Sequence, residues 1–288
     1  MIKNTMNLNK KSNNNKLSPS KIVEYYKCPR KYWYKYIKKI PEPKTEATIR
    51  GTIFHKVLED FYDIIQPKKF KGLTFVQIKD FFQNALMDLL QIEWNKIGKD
   101  YENVFSSEES KDYLFEETKE FLDFYAVKEA YKVYQFLKNN KPEDKWFELN
   151  FNSRFKPKSR EEYISTESVH GYIDKTINLF GKGIGIVDYK TSKTNLPYYL
   201  DKSHMIQLKV YAFLYYKEHN VLPTYGSIYY AREGETVYYE VKKEDINEVE
   251  RMIKEILNKE EKIENFPKKP SKLCDFCFYK EMCDAEKN

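Results

Sequence analysis

The chain has 288 residues, 41% hydrophobic and 33% charged, with 50 Lys and Arg against 44 Asp and Glu for a net charge of +6. That length allows one large domain or two small ones, and 25 Tyr and 19 Phe supply a sizeable core. No stretch approaches the roughly 20 apolar residues of a membrane span, and the Asn- and Lys-rich start lacks the apolar segment of a signal peptide, so a cytoplasmic protein with no membrane partner is expected. The basic excess is compatible with nucleic acid but is weak by itself, because many soluble proteins carry as much.

Residues 1–16 read as a disordered basic tail with almost nothing to bury. Ser18 is a plausible N-cap with Pro19 at the first helical position, and Ile22, Val23, Tyr25 and Tyr26 follow with helical spacing. Cys28-Pro29 interrupts, and a second helical segment runs from Arg30 to Ile37. Its aromatics alternate with Lys and Arg, a mixture that can bind single strands but more often packs a helix on a core.

Ala47–Ile65 is predicted as a helix from Ile49, Ile53, Val57, Phe61 and Ile64, and it carries His55. Phe75–Ile97 and Lys111–Leu137 are two long amphipathic helices without an obvious chemical cluster, within a helical insertion at about 67–145. Pro142 closes them. Trp146–Phe151 then alternates with period two and reads as the first strand of a sheet, carrying Glu148, with a short strand at Tyr163–Ser168.

Two Ile- and Val-rich runs, 171–176 and 185–191, flank Gly181 and Gly183 as a β-hairpin. With the turn centred on Gly181, Asp174 falls opposite Asp188, and Asp188 shares a face with Lys190. A turn shifted by one residue would undo that pairing, and scattered surface charge is the plain alternative. Two carboxylates brought together favour a cation between them, and oxygen ligands suit Mg²⁺ or Mn²⁺. Leu200–His219 follows as a helix, with Gln207 and Tyr211 four apart and so on one face, and with His204 nearby. Tyr225–Ala231 and Thr236–Val241 form a second hairpin, and Lys243–Lys262 a charged helix. The alternation of strands and helices gives an α/β class, a mixed central sheet with flanking helices.

Cys274-x₂-Cys277-x₅-Cys283 is compact enough for three thiolates to hold one centre, and Cys28 is the remaining cysteine. A closed site would tie the two ends of the chain together. Zinc and an iron–sulfur cluster both take four thiolates, and the spacing does not separate them.

Taken together these residues resemble the RecB-like branch of the PD-(D/E)XK nucleases, including stand-alone RecB-family exonucleases, AddB nuclease domains and CRISPR-adaptation nucleases with an iron–sulfur cluster. The resemblance rests on Gly51-x₃-His55-x₂-Leu58, Gly171-Tyr172-Ile173-Asp174, Val187-Asp188-Tyr189-Lys190-Thr191, Gln207-x₃-Tyr211 and the one-plus-three cysteines, over roughly residues 17–66 and 146–288. It implies a restriction-endonuclease-like domain over 17–288, elaborated by the helical insertion and ending in the cysteine cluster at 274–283. It implies His55, Asp174, Asp188 and the Tyr189 carbonyl as Mg²⁺ or Mn²⁺ ligands, Lys190 as the group that activates water and stabilises the phosphate, and Gln207 and Tyr211 as positioning groups. Glu148 ranks below these as a ligand or a neighbour of ligands. Cys28, Cys274, Cys277 and Cys283 would hold a [4Fe–4S] cluster, with structural zinc as the alternative. The implied activity is DNA phosphodiester hydrolysis, most simply by an exonuclease, in repair, recombination or defence with a possible helicase partner. The alternatives are trimming DNA for an integrase, a catalytically silent DNA-binding module and a zinc-stabilised scaffold.

Overall fold

The structure, a computed structural model, describes residues 16–140, 146–192 and 201–285, so the expected tail before Lys16 and the Pro142 break lie outside the described residues. Helix α1 (Pro19–Lys27) begins as expected, with Ser18 Oγ accepting from the Lys21 amide at 3.2 Å. Cys28 ends it in extended conformation and starts α2 (Pro29–Tyr32), which runs on as a π-helical turn over Trp33–Ile37. Helices α3 (Glu46–Ile64), α4 (Phe75–Asp100) and α5 (Glu108–Asn139) follow.

The first expected strand is a helix. Phe147–Phe155 is α6, and it buries Phe147, Phe151 and Phe155. These three rings recur at intervals of four, so a helix gathers them on one face, against Phe136 of α5 and Phe70. Residues 146–151 alone show only alternation; the deciding ring is Phe155, beyond that window. Truncating fully buried Phe151 to Ala would cost about 3–5 kcal/mol.

The sheet therefore begins at β1 (Ser159–Ser165), four residues before the expected short strand, and continues with β2 (His170–Asn178) and β3 (Ile184–Lys190). Helix α7 (Lys202–His219), strands β4 (Tyr225–Tyr230) and β5 (Glu235–Glu240), helix α8 (Lys243–Leu257) and the short α9 (Lys280–Ala285) complete the chain. Helix α8 stops five residues before the expected Lys262. The strands are ordered β1-β2-β3-β4-β5, with β3 and β4 parallel and the other pairs antiparallel, which is the mixed sheet expected.

The β2–β3 pairing Lys175↔Val187 through Asn178↔Ile184 is centred on Gly181, as the sequence predicts. Phe180, Gly181 and Gly183 have φ of 48°, 81° and 100°, so glycines relieve two of the three left-handed positions in this turn. One core lies between the sheet and α3, α4, α5 and α6, and includes Val187, Tyr189 and Tyr229. The other lies between the sheet and α1, α7 and α8, and includes Ile173 and Ile186. Gly171 permits the second contact, because a Cβ there would meet Pro19 Cδ at 3.0 Å and Leu214 Cδ1 at 3.2 Å. Among the described residues, no helix is long and apolar enough to cross a membrane.

Candidate active site

The β2–β3 ladder ends at Lys175↔Val187. One residue further, the side chain of Asp174 takes the next amide, with Oδ2 accepting from Tyr189 N at 2.9 Å. The strands thus part at Asp174, and the carboxylate satisfies a backbone donor that the ladder leaves open. Asp188 and Lys190 keep their pairing with β4, opposite Ile228 and Tyr230.

Helix α7 closes one side. Gln207 Nε2 donates to Asp188 Oδ1 at 3.0 Å and to the Tyr211 hydroxyl at 2.9 Å, the geometry expected of residues one helical turn apart. Asp188 is only 1% exposed. Its Oδ2 lies 2.5 Å from Lys190 Nζ, a close and largely buried ion pair.

Helix α3 closes the other side with His55. Its Nε2 donates to the Tyr189 carbonyl at 3.0 Å, and its Nδ1 lies 3.3 Å from Asp174 Oδ2 and 4.0 Å from Glu161 Oε1. Burial by itself would lower the His55 pKa, but the Asp174 carboxylate, its hydrogen bond and Asp188 raise it to about 9. Burial, then the Asp174 charge, pushes Glu161 up to about 7. Burial also lifts Asp188 to about 6, against the pull of Lys190 and with Asp174 adding to the rise. Asp174 is held below the usual carboxylate range: burial opposes this, but His55 and Lys190 outweigh it. Crowded carboxylates of this kind are what a cation relieves.

His55, Glu161 and Asp174 offer ligand atoms that all lie within 4.8 Å of one another. These donors, one imidazole nitrogen and two carboxylates, fit a hard divalent ion, and Asp188 is close enough to act electrostatically on His55 and Asp174 though it lies outside that group. The structure therefore gathers His55, Asp174, Asp188, Tyr189, Lys190, Gln207 and Tyr211 at one end of the sheet. Glu148 stands apart, on α6, with Oε1 3.4 Å from Lys68 Nζ at a well-exposed position. The third carboxylate is Glu161, which sequence reasoning missed. Its strand was read as starting at Tyr163, and its backbone adopts φ 43°, a left-handed turn inside β1 with no sequence signature. An acidic residue in the strand pairing with the Asp174 strand was the one available signal.

Two further histidines bond within the fold: His204 Nδ1 is bonded to the Tyr230 hydroxyl at 2.9 Å, and His219 Nε2 pairs with Glu162 at 2.7 Å. All four cysteines are free thiols of intermediate burial. The C-terminal segment docks on the helical turn after Cys28, with Tyr279 stacked on Tyr34 at 5.4 Å and its hydroxyl donating to the Ile40 carbonyl at 2.8 Å. Burial raises the Cys283 pKa against the pull of Lys268, with Cys28 adding to the rise.

A family model described as the PD-(D/E)XK nuclease superfamily matches residues 16–284. No curated protein matches the chain. Among solved structures, the chain is similar to a protein from Eubacterium rectale described as a candidate exonuclease, at 13% identity and a TM-score of 0.44, over 99% of this chain and 96% of that one. With the family match spanning nearly the whole length and the paired acidic residues and lysine on one strand junction, the chain belongs to the PD-(D/E)XK nuclease superfamily.

Proposed function

We propose that the protein is a divalent-metal-dependent deoxyribonuclease of the RecB-like branch, acting as an exonuclease in repair, recombination or defence. The observation that carries this reading is the convergence of His55, Asp174, Asp188 and Lys190, from α3, β2 and β3, with Gln207 of α7 bonded to Asp188. A bound Mg²⁺ or Mn²⁺ would supply Lewis acidity and an activated water at the scissile phosphate. His55, Asp174, Asp188 and the Tyr189 carbonyl would hold it, with Glu161 as a further donor. An imidazole among the ligands favours Mn²⁺ over Mg²⁺.

The remaining work falls to the chain. Lys190 places an ammonium beside Asp188, where negative charge builds on the phosphate during attack. Gln207, fixed by Tyr211, holds Asp188 in one rotamer, so that its second oxygen stays turned into the site. His55, by donating to the Tyr189 carbonyl, ties α3 to the strand that carries both Asp188 and Lys190.

Cys28, Cys274, Cys277 and Cys283 form a [4Fe–4S] site in this reading. Three of the thiols come from the C-terminal segment, which packs through Tyr279 on Tyr34, a few residues beyond Cys28, and four thiolates are the complement such a cluster takes, with structural zinc as the alternative.

The test is purification without oxygen, followed by cleavage of 5′- and 3′-labelled DNA with Mn²⁺ and with EDTA. Metal-dependent release of short products from one end supports the reading, and full activity of Lys190→Ala removes it. A brown wild-type protein that turns colourless as Cys28→Ser supports the cluster, whereas a colourless one holding an equivalent of zinc replaces it. Co-purification with an integrase would move the biological role to DNA capture.

A further inference from the structure

Among the described residues, one face of the β1–β2 ribbon carries large aromatic rings that stay exposed. Tyr163 and Tyr172 are register partners, 53% and 56% exposed, with ring centroids 4.9 Å apart. His170 continues the row, 5.9 Å from Tyr163. A cross-strand tyrosine pair contributes somewhat to strand pairing, but that does not require rings left open to water beside a reaction centre.

The position of the pair is informative. Tyr172 lies two residues before Asp174, about 7 Å along the strand. Its ring lines an open groove of ≈ 560 Å³ whose other walls are α3, from Ala47 to Glu59 and including His55 and Lys56, with Glu161 of β1. The groove thus runs from Tyr172, the inner ring of the pair, to His55 and Glu161 of the candidate metal centre. At the far end of the row, Lys16 Nζ donates to Ser165 Oγ at 2.9 Å, and Ser165 is the register partner of His170. Lys21 stands beside it, donating to the Lys16 carbonyl at 2.8 Å. A row of flat rings that ends in the groove at Tyr172, with cations at its far end and a hydrolytic centre at the near one, makes a path suited to a nucleic-acid strand.

We propose that Tyr163 and Tyr172 form a base-stacking step that seats unpaired nucleotides of the substrate next to the scissile phosphate, with Lys16 and Lys21 holding the backbone beyond it. The assignment rests on the nuclease reading above and adds to it the residues that grip the strand. A base inside a duplex has its faces covered by its neighbours, so only unpaired nucleotides can use the step.

Binding measured in EDTA separates this proposal from catalysis. The probes are 5′-fluorescein-labelled (dT)₁₅ and a blunt hairpin duplex, followed by anisotropy with the full chain. Tyr172→Ala should weaken (dT)₁₅ binding about 10-fold, and the Tyr163→Ala/Tyr172→Ala pair more, as expected for lost stacking. Tyr172→Phe keeps the flat face and should stay within about twofold of wild type. Tyr172→Leu keeps bulk on the strand without a π-face and should lose as much as Tyr172→Ala, which guards against a folding artefact. Duplex affinity should change little. The proposal is overturned if the double variant binds (dT)₁₅ within about twofold of wild type, if Tyr172→Leu behaves like Tyr172→Phe, or if duplex binding falls in parallel. Absence of Mn²⁺-dependent cleavage in the wild type would remove the nuclease reading, while the EDTA series would still report on the stacking step.

Discussion

Strands β2 and β3 each hold one lysine, and their surroundings differ. Lys190 stands at the end of β3 with its Nζ 2.5 Å from Asp188, the carboxylate that Gln207 of α7 bonds. Lys175 points to the other core, where its Nζ donates to the hydroxyls of Tyr62 at 2.8 Å and Tyr125 at 3.1 Å. It lies 5.0–5.6 Å from the ring centres of Tyr62, Tyr125 and Tyr189. Burial lowers its pKa to about 8, against the opposing pull of Glu129. One ammonium is placed against a buried carboxylate among the candidate catalytic groups; the other sits in an aromatic cage with two of its three donors on tyrosine hydroxyls. Crowded titratable groups with shifted pKa values are expected where chemistry is done, and a lysine held by neutral rings where the chain is being held together.

Substitutions should separate the two faces. The largest effect is expected at the site: Asp188→Asn or Lys190→Met should lower Mn²⁺-dependent cleavage by about 10³-fold or more, with the melting temperature held or raised. An unchanged rate in either variant would erase the distinction between the lysines. Next come the packing residues. Glu117 of α5 accepts from Arg50 and, at 2.5 Å, from Arg232, while Arg50 also donates to the Thr191 carbonyl at 2.9 Å, just beyond Lys190. Glu117→Ala should cost about 3–5 kcal/mol in urea unfolding, because it leaves guanidinium groups uncompensated. Lys175→Ala should cost about 2–4 kcal/mol through the cavity left among Tyr62, Tyr125 and Tyr189, whose hydroxyls still bond one another. Lys175→Met keeps the stem and removes the buried charge, so it should be close to neutral in stability, unlike its effect at Lys190 on rate.

The smallest effect is a pH dependence. Burial, then Lys190, lowers the His204 pKa from 6.5 to about 4. The unfolded chain therefore takes up this proton first as pH falls, and stability is lost between pH 6.5 and about 4. With allowance for partial exposure the loss is about 1–2 kcal/mol. His204→Gln should flatten that part of the urea-unfolding pH profile, and an unchanged profile would show that His204 is neutral for another reason.

Much of this was legible from spacing. The Gly181-centred register, the shared face of Asp188 and Lys190, and the Gln207/Tyr211 pair follow from periods of two and 3.6, which are local properties of the chain. The same local reading failed at residues 146–151, where a short window fits either period and Phe155 decides for helix. Tertiary structure alone decided that α3 lies over the strand junction with His55 against the Tyr189 carbonyl. It alone turned Glu161 inward through a left-handed residue, and set the Asp174 side chain to take the amide at which the ladder stops. Periodicity specifies which side of an element a residue occupies; which distant element comes to face it depends on how two separate cores pack on the sheet, and no local pattern carries that.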